Sequence, residues 1–231
     1  YYVEPEGDAN PIPNGVISRW PILASGQWAD VNVGSRDFVW ATIDLPGTGP
    51  DLNVVSVHLK AGDQAADATD REAQAEALVD YLDAAYLADD LDENDYLVIA
   101  GDLNQPDRLT ENVLTILGAY VSDAKQPTTK ASSKNTNPAE TAPYDFVLPS
   151  DLLEIQHMGM SYNGTSFADG FIFDSREWGD HQYPALGSDS EALNLTHRPV
   201  LKVYTLGEIV APPASLTATD DGPTEIDLTF A

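Results

Sequence analysis

The run Tyr96-Leu97-Val98-Ile99-Ala100 holds five consecutive apolar residues. Successive side chains of a strand point to opposite faces, so an all-apolar strand needs apolar cover on both sides. Such a strand belongs in the middle of a layered fold. The neighbouring patterns supply the layers. Ala73, Ala77, Leu78, Tyr81, Leu82 and Ala85 recur at spacings of three and four, which predicts an amphipathic helix over 67–88. Thr69 is its expected cap, with Glu72 three residues on. Val31, Val33, Phe38, Val39, Ala41 and Ile43 fall in two alternating runs around Gly34-Ser35, which predicts a hairpin. Residues 52–59, 146–148, 171–173 and 199–204 read as further strands. A second helix is expected over 109–117, capped by Thr110. Strands in series between helices give an α+β class: two packed sheets with helices outside.

The chain of 231 residues is 42% hydrophobic, enough to bury a core. No apolar run approaches the roughly 20 residues of a membrane-spanning helix, so stable membrane insertion is not expected. The opening residues lack the basic start and apolar core of a signal peptide, and the first residue is Tyr1, which suggests a processed or truncated product. Cysteine is absent, which excludes disulfides, Cys-bound zinc and a thiol nucleophile. Eleven Lys and Arg stand against 38 Asp and Glu, a net charge of −27. Such a surface repels nucleic acid and anionic membranes at long range. The acids serve either a metal or cationic partner, or solubility in salty surroundings, where a Debye length of about 3 Å at 1 M screens self-repulsion. Their spread over the whole chain favours the second reading and, with the absence of Cys, a protein outside the cytoplasm, secreted or cell-surface, or one from a saline habitat. Residues 122–143 hold Lys125, Lys130 and Lys134. They form either a solvated loop or an electropositive finger towards phosphates.

Four polar positions stand at the ends of four apolar strands. His58 closes one, Gly101-Asp102-Leu103-Asn104 follows another, Asp145 opens a third, and His197 precedes Arg198-Pro199-Val200. Strand ends converge on one rim of a sandwich. Each residue alone has an ordinary structural explanation. A His at a strand end packs, and Gly-Asp-x-Asn is a common turn. Together they offer a carboxylate to deprotonate water, an amide to orient it, and imidazoles to face a developing oxyanion. A divalent cation would neutralise a phosphate among these acids. No Gly-x-Ser-x-Gly elbow, P-loop or dinucleotide loop is present. The parts suit metal-assisted phosphoester hydrolysis.

At this point the sequence resembles the endonuclease/exonuclease/phosphatase superfamily, the DNase I-like proteins. The resemblance rests on six segments in order. They are Asn14-Gly15-Val16-Ile17-Ser18-Arg19-Trp20-Pro21-Ile22, Val57-His58-Leu59-Lys60, Arg71-Glu72-Ala73-Gln74, Ile99-Ala100-Gly101-Asp102-Leu103-Asn104, Tyr144-Asp145-Phe146-Val147-Leu148 and His197-Arg198-Pro199-Val200. It implies a four-layer α/β-sandwich that hydrolyses phosphoesters with a divalent metal, Mg2+ or in its place Mn2+ or Ca2+. By that likeness Asp102 activates the water and Asn104 orients it or the phosphate, both beside the metal. His197 contacts the scissile phosphate and Asp145 fixes its ring. His58 resembles a second histidine of some branches. Arg19, Lys130 and Lys134 are the expected substrate-binding cations.

The resemblance has two departures. The family's opening strands, with the principal metal-binding Glu, are expected before Asn14. Thr196 stands where a metal-binding Asp is usual. The expected organisation is therefore a C-terminal part of the domain over 1–206, a linker over 207–213, and over 214–231 the start of a β-domain that looks like fibronectin type III. The implied activity is that of a secreted nuclease. A phospholipase, sphingomyelinase-type or phosphomonoesterase activity, and a degenerate binding or adhesion module, are the alternatives. The fragment alone is expected to be inactive, and to leave a sheet face bare unless the missing N-terminal segment complements it. Nucleic acid or another phosphoester is the expected partner.

Overall fold

A computed structural model describes residues 1–4, 13–34, 36–47, 49–178, 186–191 and 195–205, and the backbone of 216–220 and 226–230. Two short strands, β1 (Tyr2–Val3) and β2 (Val16–Ile17), pair antiparallel. The centre of the molecule is built from β3 (Ile22–Trp28), β4 (Phe38–Ile43), β5 (Leu52–His58), β6 (Tyr96–Asp102) and β7 (Asp145–Pro149). They form one sheet in the order β3-β4-β5-β6-β7. Only the β5–β6 pair is parallel. A parallel pair needs a long crossover, and helix α1 (Ala65–Leu87) supplies it. Helices α2 (Val113–Leu117) and α3 (Asp151–Glu154) are short. Beyond them lie β8 (His157–Met158), β9 (Met160–Tyr162), β10 (Thr165–Phe167), β11 (Phe171–Ile172), β12 (Val200–Leu201) and β13 (Val203–Tyr204). They pair as β9–β10, β11–β12 and β8–β13. This is the α+β class expected, a mixed sheet flanked by helices in the manner of the DNase I-like sandwich.

The strand over 96–100 behaves as its composition demands. Leu97 and Ile99 enter a core with Leu78, Leu82, Val113 and Leu117 from the helical layer. Tyr96 and Val98 enter the opposite core with Val16, Ala41, Ile43 and Leu153. Both faces of β6 are thus covered by residues of this chain, where a bare face was expected. A third, aromatic cluster of Phe167, Phe171 and Trp178 closes the region of β9 to β11.

Several local expectations give way to the structure. Val31 and Val33 are not strand residues. The buried Asp30 carboxylate accepts the N–H groups of Asn32 and Val33 at 3.3 and 3.1 Å, which folds a turn there. The partner of β4 is instead β3. Thr69 lies inside α1, its hydroxyl donating to the Ala65 carbonyl at 3.1 Å. The helix begins earlier, where Asp67 Oδ2 accepts the Gln64 N–H at 3.0 Å. The buried face of α1 carries Arg71, Gln74, Ala75, Leu78, Leu82 and Ala85. Helix α2 starts after Asn112, so Thr110 does not cap it. The last two strands, β14 (Leu216–Asp220) and β15 (Ile226–Phe230), pair antiparallel. The linker over 207–213 lies outside the described residues, and the fibronectin type III expectation rests on sequence alone. Among the described residues no helix is long and apolar enough to cross a membrane.

Candidate active site

Strand register assembles half of the site. His58 of β5 stands opposite Asp102 of β6, and Asp102 stands opposite Asp145 of β7. Residues in register across neighbouring strands point to the same face. A row of imidazole, carboxylate and carboxylate therefore follows directly from the pairing. Gly101 makes the row possible. Its φ is +143°, and a Cβ there would lie 2.0 Å from the Val57 carbonyl oxygen. Only glycine lets β6 approach β5 this closely while turning Asp102 onto the row. Beyond it, Asp102 Oδ1 accepts the Asn104 N–H at 2.7 Å, an Asx turn. Asn104 has a φ of +51°. Its side-chain nitrogen donates to the Leu59 carbonyl at 3.0 Å and to Asp102 Oδ2 at 3.1 Å. It locks Asp102 to the chain leaving β5.

The other half arrives from the segment before β12. His197 Nδ1 faces the two Asp145 oxygens at 2.9 and 3.1 Å, the contact expected from sequence. Its Nε2 lies 3.6 Å from Asp102 Oδ2, while His58 Nε2 lies 3.2 Å from the same oxygen. Asp102 is thus flanked by two imidazoles. Burial raises its pKa to about 6, and the like charge of Asp145 adds to this. Burial lowers His58 to about 4, with Arg36 and His197 adding to the effect, so its ring is neutral at pH 7. The Asp145 hydrogen bond raises His197.

Arg36 was not singled out from the sequence. Its positive charge lowers the pKa of both His58 and Asp102, and its Nε is buried without a partner. The available signal was its place just before the strand carrying Phe38, in a chain poor in cations. The three expected substrate-binding cations are engaged elsewhere. Arg19 lies over the Trp20 ring, Lys130 over Trp178 with its ammonium on the Glu177 carbonyl, and Lys134 donates to Gln126. The structure does not bring them to the row. Within 122–143, Thr136 and Asn137 are buried, whereas Lys130 and Lys134 are exposed.

Asp102, Asp145 and His197 offer ligand atoms within 4.8 Å of one another. Their chemistry fits a divalent cation: hard carboxylate oxygens, close together, whose repulsion a cation would relieve. Asn104 turns its nitrogen to Asp102 at 3.1 Å. Thr196 is exposed and offers only a hydroxyl. A second acidic group, Glu140, Asp174 and Glu177, is neutralised from within. Asp174 pairs with Arg198 at 2.9 Å and Arg176 at 2.7 Å, and the Glu177 carboxylate accepts the N–H groups of Lys130 and Ala131.

No protein-family model and no curated protein matches the chain. Among solved structures it is similar in fold to a functionally unknown conserved protein from Enterococcus faecalis V583, at 13% identity and a TM-score of 0.51, covering 80% of this chain and 67% of that one. A sphingomyelinase C from Streptomyces griseocarneus matches at 18% identity and a TM-score of 0.47, over 67% of this chain and 62% of that one. An endonuclease/exonuclease/phosphatase from Beutenbergia cavernae DSM 12333 matches at 19% identity and 0.46, over 64% and 41%. The chain therefore spans less than two thirds of the sphingomyelinase C. The first likeness is one of fold.

Proposed function

We propose that this row hydrolyses phosphodiesters with a divalent cation, acting as a nuclease in a secreted or surface protein. The observation that carries the reading is the pair of imidazoles on either side of a carboxylate whose pKa lies near neutrality. Asp102 takes the proton of the attacking water, and a base of pKa about 6 is largely ionised at pH 7 yet still basic. His58, neutral, donates its Nε2–H to Asp102 and holds it in place. His197, whose pKa the Asp145 hydrogen bond raises, donates Nε2–H in its protonated form to a phosphate oxygen as charge develops. A cation held by Asp102 and Asp145 would neutralise the phosphate charge. The water oxygen bonds to phosphorus, the leaving oxygen departs, and the water proton ends on Asp102.

A cleft of about 420 Å³ opens beside His197, walled by Ala100, Val147, Leu195, Pro199 and Val200. Its apolar wall favours a second reading, a phospholipid phosphodiesterase. Assays on plasmid DNA, on phosphocholine lipid vesicles and on bis-(p-nitrophenyl) phosphate with magnesium separate the two. Asp102→Ala should lower hydrolysis by about 10²-fold with the fold retained. A variant of near-full activity would show that Asp102 is not the base.

A further inference from the structure

The dyad of His197 and Asp145 joins residues 52 apart in sequence. Asp145 is placed by strand pairing; His197 sits outside any strand. Something else must set the distance between them. The segment between α2 and β7 carries Thr136, which is fully buried. Its carbonyl oxygen accepts the Arg198 N–H at 2.8 Å, one residue from His197. Its Oγ1 accepts the Asp145 N–H at 3.0 Å. One side chain and its own backbone thus hold both partners of the dyad. The segment is stiffened behind it. Thr136 N–H donates to the Ala142 carbonyl at 3.0 Å, and Asn137 Oδ1 accepts the N–H groups of Thr141 and Ala142 at 2.8 and 3.0 Å. Arg198, also buried, is anchored on the Pro138 carbonyl at 3.0 Å and Asp174 at 2.9 Å.

We propose that Thr136 is the positioning residue of the site, its hydroxyl and carbonyl oxygens together fixing the His197 ring against the Asp145 carboxylate. The functional meaning rests on the hydrolase reading; the geometry does not. A β-branched residue with a hydroxyl suits the task. Its χ1 is restricted, so the acceptor oxygen is aimed without further ordering cost. Valine keeps the shape and removes the acceptor. Serine keeps the acceptor and removes the methyl.

The test is nuclear magnetic resonance of the whole chain labelled with 15N-histidine, with His197 assigned from His197→Gln. The readout is the exchange rate of the downfield Nδ1–H held by Asp145, which needs no substrate and no metal. Thr136→Val should speed this exchange about tenfold or broaden the signal away, because the hydrogen bond that ties Asp145 to the neighbour of His197 is lost. Thr136→Ser should keep it within about twofold of wild type, since the same bond is retained. An unchanged signal in a folded Thr136→Val overturns the proposal. If that variant does not fold, the wild-type Asp145 amide decides. Protection equal to that of the Leu97 and Ile99 amides supports the clamp, and exchange at the rate of an open loop overturns it. Failure of hydrolysis in the wild type would refute the proposed function and leave this readout intact.

Discussion

The two halves of the site are held by different physics. His58, Asp102 and Asp145 sit on three adjacent strands whose backbone ladders fix their row. His197 and Arg36 come from irregular segments, and His197 is held by side chains and a neighbouring loop. The sheet-borne half is also pinned from behind. Arg71 of α1, almost fully buried, meets Glu111 through two hydrogen bonds of 2.8 and 2.5 Å, and donates to the carbonyls of Lys60 and Gly62. Gln74 accepts the Lys60 N–H at 2.8 Å, and Gln105 donates to Glu111 at 2.8 Å. The chain leaving His58 and the chain leaving Asn104 are thereby tied to one helix. The loop-borne half has Arg198 instead, shared between Asp174, Glu140 and the Pro138 carbonyl.

The largest expected effect breaks the sheet-borne half. Glu111→Ala leaves a buried guanidinium unpaired and should cost about 3–5 kcal/mol in denaturant unfolding. Asp174→Ala strips Arg198 of one carboxylate but leaves the Pro138 carbonyl and Glu140, and should cost less, about 2 kcal/mol. Equal losses would erase the distinction between the halves.

A smaller effect sharpens the comparison within the row. Asp102 is raised from 3.8 to about 6 and His58 is lowered from 6.5 to about 4, both chiefly by burial. A carboxylate raised on folding contributes stability that is complete below its unfolded value and is lost as pH climbs through its folded one. An imidazole lowered on folding contributes stability that is complete above its unfolded value and is lost as pH falls through its folded one. Between pH 4 and 6.5 the two slopes oppose each other, each worth about 3 kcal/mol. His58→Asn should leave a protein whose stability declines as pH rises from 4 to 6. Asp102→Asn should leave one whose stability declines as pH falls from 6.5 to 4. Unfolding profiles that run in the same direction in both variants would refute burial as the shared cause.

The smallest expected effect concerns the lysines of 122–143. Lys130 covers Trp178 at 4.5 Å, a cation–π contact. Lys130→Met should change stability by no more than about 1 kcal/mol and leave hydrolysis unchanged. A tenfold loss of activity would support the electropositive finger.

The row was legible because it is local. An apolar run that ends in Gly-Asp declares a buried strand and the polar residue at its exit, and His58 and Asp145 show the same grammar. The turn at Asp30 was not, because alternation at Val31 and Val33 looks the same whether or not a buried carboxylate collects the backbone N–H groups between them. Nor was the start of α1, where Asp67 and not a threonine satisfies the first donor.

By itself the sequence determined β5, β6, β7 and the helix that separates β5 from β6, and hence which polar residues share a rim, since side-chain alternation and hydrophobic period are properties of a short stretch of chain. Only the tertiary structure decided that Arg36 sends its charge into that rim while Arg19, Lys130 and Lys134 do not, and that Thr136 joins Asp145 to the neighbour of His197. Long cationic side chains and loop hydroxyls take whatever partner packing brings within about 3 Å, and that proximity has no period along the chain.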